Sequence, residues 1–348
     1  MKKLLPFLIL FLLSTNANAV IVGNLYEAEI PVPDQSTDSQ QQGLQKAMQE
    51  VLVKLTGDRN VLGREVLQPL VANPVNYVQQ YEFHNKSVIV DDQIATRKQL
   101  YLWASFNRDA IDRVLAQNAI PVWGTVRPST LVWFAVTDND KRSLIGLEDD
   151  YGYTSIMDSQ ARARGIKLLH PLLDQTDQQN VTIADIIGGF QEPVKTASSR
   201  YNPDAILTGS MSRQSDTQWQ ANWISIISGE ARTWSATSDN TETLIRAGID
   251  QLADFLAERY VQSNTSTTVS GVKILVQDIT DFDALSRVLK YLQSLNSVTR
   301  VDVIDVTTSS ATFEILSTGG EPAINSAIKL GRTLYSLSGR GSPYSLQQ

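Results

Sequence analysis

The chain has 348 residues, with 30 Lys and Arg against 37 Asp and Glu, a formal net charge of −7, and no cysteine. Disulfides, thiolate nucleophiles and zinc or iron–sulfur sites built on Cys are thereby excluded, and the acidic balance disfavours nonspecific binding to nucleic acid or anionic lipid. Two histidines, His84 and His170, are too few for a His-rich metal site.

Lys2 and Lys3, an apolar run from Leu4 to Leu13 and the triplet Ala17-Asn18-Ala19 ahead of Val20 make the pattern of a secretory signal peptide over residues 1–19, cut after Ala19. The run holds about ten residues, half of the roughly 20 that span a bilayer, and no Cys follows it for lipid attachment. A soluble exported chain is expected, and without Lys2 and Lys3 it keeps 28 basic against 37 acidic residues, a net charge of −9. At roughly 100–200 residues per domain, its length predicts two or three domains.

Over residues 20–120 the expected order is strand, helix, strand, strand, helix. Gly23 to Ile30 is strand-like and is followed by a loop with Pro31 and Pro33. Leu44, Ala47, Met48, Val51, Leu52 and Leu55 recur at three- and four-residue steps, an amphipathic helix that Gly57 can end. A shorter helix is expected around Val66 to Val71, then a strand pair over Val78–Val90 and Ile94–Phe106 that turns at Asp91-Asp92. Asn107 caps a last helix carrying Ile111, Val114 and Leu115. Pro121 to Pro128 reads as a weak break.

Residues 129–262 open with a strand over Leu131–Val136, a polar helix over Ser155–Arg164 stopped by Gly165, and a strand at Ile166–Leu169. Short helices at Asp185–Phe190 and Pro193–Tyr201 precede a strand at Ala205–Leu207. Trp219, Ala221 and Trp223 alternate with Gln220 and Asn222, so both rings share one face of a strand that pairs across Gly229 with Ala231–Ala236. Asp239 and Glu242 open a helix with Leu244, Ile245, Gly248, Ile249, Leu252, Phe255 and Leu256 on one stripe.

The uncharged run Ser263 to Thr268 reads as a linker. Residues 269–337 repeat the first order in miniature: a strand with Val272, Ile274 and Val276, a helix over Leu285–Leu295 that Asp283 can cap, strands at Val301–Val306 and Ala311–Leu316, and a helix with Ile324, Ala327, Ile328 and Leu334. Residues 338–348 read as a disordered tail. The fold class is therefore α+β, three small domains of strand-helix-strand-strand-helix type with helices packed on mixed or antiparallel sheets.

The stretches NLYEAEIPVPDQS (Asn24–Ser36), GLQKAMQEVLVKLTGDRNV (Gly43–Val61) and YVQQYEF (Tyr77–Phe83) resemble an uncharacterised family of Gram-negative envelope proteins, domain-of-unknown-function family 2066, along nearly the whole exported chain. That family has no established activity, and what the resemblance implies is a cell-envelope setting. GIKLLHPLLD (Gly165–Asp174), YNPDAILTGSMSR (Tyr201–Arg213), the Trp219 strand and the helix after it look like the α/β domain that opens the periplasmic translocation protein TolB, a look shared by curli-secretion and penicillin-binding-protein-activator relatives. This second resemblance implies a fold used for assembly and contact rather than catalysis.

A search for chemistry finds no G-x-S-x-G elbow, no H-E-x-x-H and no P-loop. Gly188-Gly189 lacks the flanking Lys and reads as a helix end; Asp91-Asp92 and Asp149-Asp150 lack the alternating oxygen ligands of a calcium loop and read as solvated turns. No catalytic residue, cofactor or metal is assigned. Thr56 to Asn60 is the sharpest candidate. It is either a helix cap or a rigid corner from which Arg59 reaches an anionic group of a partner. Tyr77, Gln79 and Tyr81, placed together by strand alternation, are either a paired sheet face or a shelf for a partner or glycan. Trp219, Trp223 and Trp234 converge as core or, if exposed, as a contact platform.

The reading is an exported periplasmic protein, a non-catalytic binding or scaffold factor in cell-envelope assembly whose partner is another envelope protein. The alternative is a peptidoglycan or polysaccharide binder, and an acidic-residue hydrolase has least support, since it needs two carboxylates converging in a cleft. No nucleic-acid partner and no membrane segment after signal cleavage are expected.

Overall fold

The computed structural model describes residues 23–90, 95–149, 151–261, 269–295, 297–318, 320–331, 333–339 and 341–347. The signal peptide with Ala17, Ala19 and Val20, the Asp91-Asp92 turn, Asp150 and the Ser263–Thr268 linker lie outside the described residues. The chain is α+β, with three sheets among the described residues.

In the first unit, β1 (Glu27–Pro31) and β2 (Val78–Val90) flank β3 (Ala95–Phe106) in an antiparallel sheet, and α1 (Thr37–Thr56) lies against it. Ser36 caps α1 by accepting from Ser39 N–H. The stripe Leu44, Ala47, Met48, Val51, Leu52 and Leu55 is buried against Ala28, Ile30, Leu102 and Ala104. Where a single helix near Val66 was expected, the chain makes two short 3-10 turns and α2 (Gln68–Ala72), opened by Pro69, which lacks an N–H to donate. Asn107 accepts from Ala110 N–H to start α3 (Arg108–Gln117).

The second sheet runs β5 (Lys141–Ile145), β4 (Ser129–Asp138), β7 (Ala205–Ser215), β8 (Gln218–Ile227), β9 (Glu230–Ser238), with β6 (Lys167–Leu169) parallel to the start of β4. β4 and β7 are parallel and central, and β4 is buried along most of its length. α4 (Tyr153–Arg164) and α8 (Thr241–Val261) cover one face; α6 (Ile183–Gly188) and α7 (Gln191–Ser198) cover the other at Leu131, Trp133 and Ala135, and α5 (Gln175–Asn180) packs beside α7. Trp219 and Trp223 are core residues. Trp223 is 1% exposed, stacks on Phe134 at 5.2 Å between ring centres, and faces Trp234 across β8 and β9 at 6.4 Å. The cap of α8 is Asn240, which accepts from Thr243 N–H at 2.9 Å, rather than the expected Asp239.

The third sheet runs β11 (Val298–Val306), β12 (Ser310–Thr318), β10 (Val269–Gln277), β14 (Tyr344–Leu346), β13 (Leu334–Ser336), against α9 (Phe282–Ser294) and α10 (Gly320–Gly331). Asp281, not Asp283, caps α9 through Ala284 N–H at 2.7 Å. The expectation of a disordered tail over 338–348 is corrected. β14 fills the sheet between β10 and β13, with Tyr344, Ser345 and Leu346 buried. The cause is the i, i+2 pair Tyr344 and Leu346, which gives three residues an apolar face inside otherwise polar sequence.

Candidate functional site

Thr56 to Asn60 lies where the first and second units meet. α1 ends there because Gly57 takes the left-handed conformation (φ 73°) and returns its N–H to Val53 O. Asp58 then accepts from Asn60 N–H at 2.8 Å. This turn and the last two turns of α8, with Asp254, Ala257 and Glu258, enclose an open cleft of 610 Å³.

The charges of the cleft are engaged within the chain. Arg59, 48% exposed at its side chain, pairs with Asp254 and lies 3.8 Å from Asp250. Arg164 of α4, buried, donates to Asp250 at 2.9 Å, to Asp254 at 2.6 Å and to Gly57 O at 3.1 Å. The two arginines and two aspartates thus join α1, α4 and α8.

Arg127 lies deeper in this junction. Its Nε donates to Gly124 O at 2.7 Å, its Nη1 to Gly165 O at 2.8 Å and more distantly to Arg164 O, and its Nη2 to Lys54 O at 2.7 Å and Trp123 O at 3.0 Å. The guanidinium also stands 4.3 Å from the Trp123 ring centre. Lys54 is in the last turn of α1 and Arg164 in the last turn of α4, so the cation sits where two helix C-termini leave carbonyls unpaired and carry partial negative charge. Burial pushes Arg127 down to about 9, which leaves it charged at neutral pH. Nearby, Lys54 donates to Glu27 O at 2.7 Å and pairs with Glu50 at 3.4 Å. Burial lowers the Lys54 pKa and raises that of Glu50.

The connector around Arg127 reaches all three cores. Ile120 is in the first, Trp123 in the second, and Val126 packs with Ile274, Phe313 and Tyr344 in the third. Trp123 N–H donates to Leu55 O at 2.6 Å, tying the connector to α1 as well.

Tyr77 closes a 3-10 turn and packs on the first core. A register shift between Val78 and Gln80 inserts Gln79 as an extra residue, so Tyr77, Gln79 and Tyr81 do not follow one strand alternation. Gln79 is exposed; Tyr81 is exposed at the sheet edge, edge-on to Phe83 at 6.3 Å. The opposite face of that sheet carries Glu27, Glu29, His84, Lys86, Tyr101 and Trp103. There Glu29 holds both His84, at 2.5 Å, and Lys86; His84 stacks beside Tyr101; and Trp103 Nε1 donates to Glu27 at 3.3 Å. His170 is distant from this group in the chain and bonds Asp158 at 2.8 Å. Among the described residues, no group of three or more His, Asp or Glu could hold a metal ion, and no helix is long and apolar enough to cross a membrane.

Sequence reasoning reached the Thr56–Asn60 turn but missed Arg127 and Arg164. The available signal was an isolated arginine inside the apolar stretch Ile120 to Trp133, and a basic residue directly before the helix-ending Gly165.

A domain of unknown function (DUF8605) matches residues 19–124, a number different from that of the family named on the opening motif. No curated protein matches the chain. Among solved structures, it is similar to the LpoB C-terminal domain from Salmonella enterica at 12% identity, over 32% of this chain and 83% of that one, with a TM-score of 0.25. Lipoprotein GNA1162 from Neisseria meningitidis is 18% identical over 36% of this chain and 96% of its own, also with a TM-score of 0.25. A competence or damage-inducible protein from Enterobacter asburiae is 9% identical over 44% and 94%, with a TM-score of 0.21.

Proposed function

We propose that this protein is a non-catalytic binding scaffold, an exported periplasmic accessory factor in cell-envelope assembly that acts by touching another envelope protein. The observation that supports this reading is the junction at Arg127. A connector that enters three cores and is held by a buried cation between two helix ends fixes the spacing of three small domains. Fixed spacing serves simultaneous contact with a large partner. The cleft beside Gly57 supports it too, because Arg59, Arg164, Asp250 and Asp254 there pair with one another rather than standing free toward a substrate. The family-2066 likeness of the opening motif adds the envelope setting.

In-cell crosslinking followed by mass spectrometry tests the proposal. Recurrent capture of one envelope protein, lost when Arg59 and Tyr81 are replaced, is the expected result; no recurrent partner across crosslinkers of several lengths counts against it.

A second reading, binding of peptidoglycan or another polysaccharide, is favoured by the outer face of the first sheet, where Tyr101 and Trp103 stand among the carboxylates Glu27 and Glu29. Cosedimentation with purified cell wall, abolished by Trp103→Ala, is its expected outcome; failure to pellet rejects it.

A further inference from the structure

β11 is an end strand of the third sheet: β12 pairs with one side of it, and among the described residues no strand pairs with the other. Of the other end strands, β1 has five residues and ends at Pro31, β5 opens with Lys141-Arg142, β13 has three residues, β2 is longer but is bulged at Gln79 and carries Glu82 and Lys86, and β9, equal to β11 in length, carries Glu230 and Arg232. β11, in contrast, has nine residues, including four valines and an isoleucine, with Val303, Ile304 and Val306 exposed.

Its register with β12 sorts its side chains. Val301 and Val303 stand opposite the buried Ile315 and Phe313, on the helix-covered face, whereas Asp302 stands opposite Glu314 on the open face. Arg300 shares the open face and pairs with Asp302 at 2.8 Å. Register shifts after Val298 and after Val303 confine the regular stretch to Arg300–Val303.

We infer that β11 pairs antiparallel with β11 of a second copy of this chain, centred on Val301, and joins two third sheets into one continuous sheet. In that register Arg300 of each copy faces Asp302 of the other, Val301 faces Val301, and Thr299 faces Val303. The pattern is self-complementary in charge and in face. Neighbouring registers are not. Centring on Asp302 sets aspartate against aspartate and centring on Arg300 sets arginine against arginine, both destabilising when directly opposite. Centring on Val303 sets the outward Asp305 against the inward Val301, and any odd offset turns every side chain to the wrong face. The inference concerns self-association and stands whether or not an envelope partner exists.

The absence of cysteine gives a clean test on the full exported chain. Val301→Cys should form a disulfide-linked dimer on mild oxidation, because directly opposed Cα atoms of an antiparallel pair lie about 4.5–5.5 Å apart, within the roughly 4.4–6.8 Å that a disulfide spans. Val303→Cys, which faces Thr299, should not. In sedimentation, Asp302→Arg should weaken dimerisation roughly tenfold or more, since two attractive pairs become repulsive. The double variant Arg300→Asp with Asp302→Arg should restore it, and this charge swap keeps the test open if the cysteine variant fails to fold. A chain that remains monomeric at its highest attainable concentration overturns the inference. So does crosslinking of Val303→Cys equal to that of Val301→Cys, or a dimer indifferent to Asp302→Arg.

Discussion

Replacing Arg127 by methionine, which keeps the length of the side chain but removes its donors, tests whether the connector is a structural joint. Four hydrogen bonds of 3.0 Å or less disappear, to Gly124, Gly165, Lys54 and Trp123 carbonyls. Bonds to a charged donor contribute about 1.5–3 kcal/mol each after exchange with water, so four contribute about 6 kcal/mol at the low end. Relief of the guanidinium's desolvation, the same effect that lowers its pKa, offsets part of this. The net loss should be about 3–5 kcal/mol, as for removing one partner from a buried charged cluster. Urea unfolding followed by tryptophan fluorescence reports it directly, since Trp123 lies 4.3 Å under the guanidinium. The expected result is a lower midpoint and a transition that separates into steps as the units uncouple. A loss below about 1 kcal/mol with a single unchanged transition would refute the reasoning.

The two arginines of the cleft should behave differently although they share aspartates. Arg164→Met, at a buried group, should cost about 3 kcal/mol, whereas Arg59→Ala, half in solvent, should cost less than about 1 kcal/mol; equal effects in thermal unfolding would contradict the burial argument. Gly248→Ala places a methyl against the Trp223 indole, which is wedged between Phe134 and Trp234. The overpacking penalty of about 1–3 kcal/mol should exceed the helix-propensity gain of about 1 kcal/mol, and a raised melting temperature would show that the ring can move. For Glu50, burial raises the folded pKa above its ordinary 4.5, so above that value the folded state retains the proton longer than the unfolded state. Stability from this group therefore falls as pH rises from about 4.5 through the folded pKa, and Glu50→Gln should flatten that fall in a pH series of unfolding free energies; an unchanged slope would assign the pH dependence elsewhere.

The legible parts of this chain were those in which periodicity and punctuation agree. α1 was marked by its 3-4 stripe and Gly57, and the β2–β3 pair by two long alternating runs, because in both cases burial of one face is set by local spacing. β5 was not recognised. It is five residues that open with two charges and carry no clear alternation, stabilised as an edge by pairing with β4 across a turn in which Asn139 takes a φ of 52°. α5 also escaped, since its six polar residues carry no apolar stripe and are held by Asp174 at the cap and by the buried Asp177, which accepts from Tyr201 and Arg200. The cleft was half legible. The Gly57 turn follows from local sequence, but its closure by Asp250 and Asp254 comes from residues about 195 positions away, a pairing that no local pattern encodes.

The connector shows why that limit matters for function. Pro121, Gly124 and Pro128 read locally as a break because proline and glycine end regular structure. The same residues permit an irregular path, and an irregular path is what lets Ile120, Trp123 and Val126 point into three different cores within seven residues. Irregular backbone cannot pair its own carbonyls, so those of Trp123 and Gly124 need an external donor, as do the carbonyls at the ends of α1 and α4. A single guanidinium, with five N–H groups in a planar fork, satisfies both sets at once. A lysine, with three donors and no planar fork, could not reach the same carbonyls. Arg127 is therefore specified by the shape of the joint rather than by any ligand.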